Sequence, residues 1–85
     1  MISDVIKMVK KYPGSELYVL EGDDIPFFAI ITDDTKSMIN ELNDIEELEA
    51  DVAVLSPDEV EEVASGSNEF ANEIRKVLQE GKKLI

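Results

Sequence analysis

LYVLEGDDIPFFAIITDD, residues 17–34, holds two apolar runs separated by four polar residues. Residues 17–20 and 25–32 are rich in Val, Ile, Tyr and Phe, and Glu21-Gly22-Asp23-Asp24 joins them. A Gly-Asp pair between such runs is a hairpin signal, because both residues tolerate the backbone of a tight turn. The second run, Pro26-Phe27-Phe28-Ala29-Ile30-Ile31, is apolar at both parities. A strand sends alternate side chains to opposite faces, so this one is expected to be central and covered on both sides. Pro26 has no N–H to donate and belongs at the strand's start or on an unpaired side. The hairpin is the expected core, and the flanking segments are expected to cover it.

Before the hairpin, Ile2, Val5, Ile6, Val9 and Tyr12 recur at helical spacing. They predict a helix over 4–12, with Ser3 as N-cap, Asp4 and Lys10-Lys11 matched to the helix dipole, and Pro13-Gly14 as the stop. After the hairpin, Asp33, Asp34 or Thr35 can cap a second helix over 36–43, with Met38, Ile39 and Leu42 on its apolar face. Ile45 and Leu48 continue that period and favour a further helical turn over an acidic connector at 43–49. Residues 50–55, with Val52, Val54 and Leu55, read as a third strand. A strand–helix–strand connection favours parallel pairing with the second strand and a right-handed crossover.

Ser56-Pro57-Asp58-Glu59 is the clearest local signal in the chain. Serine caps, proline suits the first helical position, and Glu59 completes a capping box. Val60, Val63 and Ala64 are the expected buried side of that helix, which Ser65-Gly66-Ser67 breaks. A last helix over 68–80 carries Phe70, Ala71, Ile74, Val77 and Leu78 on one face, with Gly81 as its C-prime glycine. Lys82-Lys83-Leu84-Ile85 reads as a short edge strand or a frayed tail. The expected architecture is one compact domain, residues 1–85. Its class is α/β or α+β: a small mixed sheet of three or four strands, a hairpin plus one parallel strand, packed with three or four helices.

Composition removes several kinds of chemistry. The chain has neither cysteine nor histidine, so Ser-His-Asp and Cys-His sites are excluded, as is thiolate or imidazole metal ligation. No apolar run approaches the roughly 20 residues that span a bilayer, and the N-terminus lacks the features of a signal peptide. A soluble, cytoplasmic protein is the expectation. Twenty acidic residues face eight basic ones, a formal net charge of −12, and between Glu16 and Glu62 the only cation is Lys36. Such a surface repels nucleic acid and anionic membranes, and attracts divalent cations or a basic partner. Solubility alone is the bland reading of the same charge.

Two acidic groups stand out. Glu21, Asp23 and Asp24 crowd the hairpin turn, and parallel pairing of the second and third strands would bring Asp51 to the same end of the sheet. The acidic residues Glu46, Glu47 and Glu49 also arrive there. Oxygen-only ligands suit calcium or magnesium, although no EF-hand loop is present. At the opposite end lie Glu16, Asp33, Asp34 and Asp58. That end is where open α/β sheets bind ligands, but helix capping accounts for these residues well.

The order helix, strand, Gly-Asp-Asp-Ile, strand, helix, Ala-Asp-Val-Ala-Val-Leu, then a capped helical region resembles a minimal nucleotidyltransferase domain. That resemblance implies carboxylates holding two divalent metals, with Asp24 in the first place and Asp51 in the third. Pro26 stands where the second carboxylate belongs, and the Gly-Ser turn is missing, so the likeness implies an inactive relative. The acidic turns and Ile/Val-rich core also resemble the small, very acidic, cysteine-free proteins of unknown function of thermophilic methanogenic archaea. The leading expectation is a non-enzymatic protein that binds calcium or magnesium through Glu21, Asp23, Asp24 and Asp51. The alternative is a protein-interaction module with an acidic face for a basic partner.

Overall fold

A computed structural model describes residues 2–22, 24–45 and 48–85. Among these, four helices and a four-stranded mixed sheet make an α+β fold. In chain order they are α1 (Ile2–Lys10), β1 (Glu16–Leu20), β2 (Phe27–Ile31), α2 (Thr35–Asn43), β3 (Asp51–Leu55), α3 (Pro57–Ser65), α4 (Glu69–Glu80) and β4 (Lys82–Lys83). The strand order is β3-β2-β1-β4. β1 runs antiparallel to both neighbours, and β3 pairs parallel with β2, Phe27 opposite Asp51 and Ile31 opposite Leu55. No described helix is long and apolar enough to cross a membrane.

The period-two pattern of β2 sorts the core. Phe28 and Ile30 are fully buried with Leu17 and Val19 of β1, Val5, Met8 and Val9 of α1, and Met38 of α2. On the other face Phe27 meets Ala53 and Leu55 of β3, Val63 of α3, and Ala71 and Ile74 of α4. The sheet therefore lies between two helix pairs, which is why its second strand is apolar at both parities.

Several boundaries differ from the sequence expectation. α1 begins at Ile2, so Ser3 sits inside the helix and is not its cap. The apolar face reaches back to Ile2, and its packing draws the first turn into the helix. That helix ends at Lys10, where Lys11 and Tyr12 donate N–H bonds three residues back, to Met8 and Val9. Gly14, at φ 86, then takes the left-handed backbone that only glycine adopts cheaply. The connection between the hairpin strands is longer than the four polar residues: six residues separate Leu20 from Phe27. α2 ends at Asn43 with Asp44 as its C-cap, so the expected extra turn does not form at Ile45 or Leu48. Both still pack on the core, so their spacing reflected burial rather than helix.

Two faces were read too generously. Ala64 is exposed, and Phe70 is 51% exposed. Gly81 closes α4 in an extended conformation rather than the left-handed one. Its reason is a close approach: a Cβ there would run into the Val77 carbonyl oxygen of α4 itself and lie 2.7 Å from the Val19 carbonyl oxygen of β1. The C-terminal residues are an edge strand with an anchored end, for Leu84 N–H donates to the Leu17 carbonyl at 2.8 Å.

Candidate functional site

The capping box places the end of β3 as its spelling required. Glu59 N–H donates to Ser56 Oγ at 3.2 Å, and Ser56 N–H donates to Glu59 Oε1 at 3.0 Å. Asp34 is the residue that caps α2, accepting from Ser37 N–H at 3.2 Å. α2 and α3 therefore start and stop where they flank β3 on its two faces: Leu42 packs with Val52 and Val54, and Val60 and Val63 pack with Ala53 and Leu55. β3 is an outermost strand, and its far side has no neighbour in the sheet.

Charge is distributed unevenly around this edge. Residues 44–62 carry nine carboxylates and no cation. Two of the basic residues are paired elsewhere: Lys11 Nζ lies 2.8 Å from Glu41 Oε1, and Lys83 Nζ lies 2.9 Å from Glu16 Oε1. The Lys83 ammonium holds the Glu16 carboxyl below the usual range, and the ammonium is raised in return. Lys11, with the Tyr12 hydroxyl, does the same for Glu41. The Tyr12 hydroxyl donates to that carboxylate and is pushed up to about 12. Arg75 caps the carboxyl end of α3, donating to the carbonyls of Val63, at 2.9 Å, and Gly66.

Two shallow hollows border β3. One, of about 370 Å³, lies between α2 and the strand and is lined by Ile39, Leu42, Leu48, Ala50, Val52 and Val54, with Asn43 at its rim. Ile39 is 45% exposed there. The other, of about 230 Å³, has Leu55, Val63, Phe70 and Ala71 in its walls and Glu59 and Glu62 at its margin. Solvent-facing apolar groups beside carboxylates suit a partner that is itself amphipathic and basic. Sequence reasoning put Ile39 and Phe70 on the apolar faces of their helices.

Of the expected cation ligands, Glu21, Asp24 and Asp51 spread along one end of the sheet. Parallel pairing does bring Asp24 and Asp51 to that end, as anticipated, and Asp51 N–H donates to the Pro26 carbonyl at 3.0 Å. Glu21 follows β1, which is separated from β3 by β2, so its backbone stands roughly 10 Å from that of Asp51, two strand spacings. Glu21, Asp24 and Asp51 are all exposed. Among the described residues, no three carboxylates approach closely enough to hold a metal ion. Asp23, Glu46 and Glu47 lie outside the described residues.

The opposite acidic group resolves into separate roles: Asp34 caps α2, Glu16 pairs with Lys83, and Asp58 sits in the first turn of α3. Between them a hydroxyl pair that the sequence did not suggest, Ser15 Oγ to Thr32 Oγ1 at 2.9 Å, is buried at the end of the hairpin. Every buried side-chain polar atom among the described residues has a partner, so none is left aimed at a ligand. No family model matches this chain, and no curated protein or solved structure was found to be similar to it.

Proposed function

We propose that the protein is a non-enzymatic interaction module whose acidic edge docks on a basic partner. The observation that carries this reading is the polarity of the sheet. The stretch of sequence that contains β3, residues 44–62, holds nine carboxylates without a cation, whereas the far edge of the sheet is built from Lys82 and Lys83. Charge meant only for solubility would not need this segregation, and a one-sign surface steers an oppositely charged partner to one side of the molecule. Exposed Ile39 and Phe70 supply the apolar contacts that charge alone lacks.

Titration with decalysine, followed by amide shifts in NMR, tests the reading against cation binding. Saturable shifts confined to residues 44–62 are the expected result. Calcium at matched ionic strength is expected to give weak, diffuse shifts. Saturable calcium shifts at Glu21, Asp23, Asp24 and Asp51, with no localised response to decalysine, would replace the docking module with a divalent-cation protein.

A further inference from the structure

We infer that β3 receives an extra strand: an extended segment of a partner protein, alternating apolar and basic residues, adds to the sheet beside Val52 and Val54. The inference rests on the acidic docking reading and gives it a geometry. The register decides which backbone groups are available. Asp51 N–H donates to Pro26 O, and Leu55 O accepts from Thr32 N–H at 2.9 Å. Backbone groups alternate in direction along a strand, so Asp51, Ala53 and Leu55 face β2. Val52 and Val54 turn their N–H and C=O groups outward. Among the described residues nothing bonds to these groups, and an edge of this kind is a template for strand addition.

The chemistry of the incoming strand follows from what flanks the edge. On one face its side chains would enter the hollow of Ile39, Leu42, Val52 and Val54, which takes apolar groups. On the other face they would pass α3, whose Asp58, Glu59, Glu61 and Glu62 have no lysine or arginine on their helix. Lysine or arginine at alternate positions answers those carboxylates. A second copy is a poor occupant. Two β3 edges would bring together two segments of nine carboxylates each, and β4 offers only two residues for pairing.

The test uses the full chain and three probes: a capped peptide alternating lysine and valine, the same peptide N-methylated on every second backbone nitrogen, and decalysine. The alternating peptide should bind saturably and slow hydrogen exchange at the Val52 and Val54 amides. Those amides should exchange fast in the free protein. N-methylation of the donors should weaken binding about tenfold, the worth of one or two net hydrogen bonds. Binding of all three probes with unchanged exchange at Val52 and Val54 would overturn strand addition and leave the docking module standing. Failure of every cationic probe to bind would overturn both. Protection of Val52 and Val54 that grows with protein concentration, without peptide, would show a second copy on the edge and also overturn the proposal.

Discussion

At one edge of the sheet β4 offers two residues, Lys82 and Lys83; at the other β3 offers five, four of them apolar. The β4 edge is guarded in the manner expected of a strand that must not recruit neighbours: it is short and charged. Lys83 also folds back across the Tyr18 ring, 5.9 Å from its centroid, and onto Glu16. β3 is longer and carries a charge only at its first residue, Asp51. It is inserted between two helices on its faces while its outer backbone stays available. The contrast teaches that charge sign and edge protection are linked here: the cations shield one edge, and the other is left to carboxylates and backbone.

Substitutions in the two edges should separate them most widely in stability. Leu55 is 2% exposed and joins β3 to α3 and α4. Leu55→Ala should cost about 2–5 kcal/mol, the usual range for a buried leucine. Leu84, beside β4, is only partly buried, and Leu84→Ala should cost clearly less. Urea melts giving equal losses would break the contrast, since both edges would then be equally integral to the core.

A smaller effect is expected where β3 turns into α3. Ser56→Ala should cost about 1 kcal/mol, and Ser56→Asp should restore most of it, because aspartate also caps. The loss should be accompanied by shifts at the Glu59 amide. A thermal melt of Ser56→Ala that overlays the parent would detach the capping box from the stability of this edge.

The smallest effect belongs to the guarded edge and is best read by pH. Glu16 is held below the usual carboxylate range by Lys83, so its contribution is fully present above that range and is lost as pH falls through Glu16's lowered value. Lys83 is raised, so its share persists below the ordinary lysine value and is lost as pH rises through the folded one. Replacing Lys83 with Met should move the Glu16 titration up toward ordinary values and leave the two proteins equally stable in strong acid. The partners are part-exposed, so the stability change at neutral pH should be slight. An unmoved Glu16 titration would show that Lys83 does not guard this edge.

Legibility followed the range of the forces involved. The Ser56–Glu59 box and the two-faced β2 were readable because each depends on neighbours a few residues away or on a strict period. The acidic candidates were readable as composition but not as a site. Whether Glu21 and Asp51 meet depends on how many strands lie between them, and β1 and β3 are separated by β2. Ile39 and Phe70 follow a related rule. Periodicity tells which side of a helix is apolar, but cover depends on whatever packs opposite.

The amino-acid sequence by itself determined the hairpin, the capped start of α3, the parallel sense of β3 and the one-sided charge, since propensity, period and charge are local properties of the chain. Only the tertiary structure decided the strand order, and with it that β3 is an edge while Lys82-Lys83 closes the other side. It also contributed to Gly81, where a Cβ would crowd the Val19 backbone far away in sequence as well as the Val77 carbonyl of its own helix. Those outcomes belong to contacts between distant segments, where burial on both faces of β2 sets which strands lie outermost.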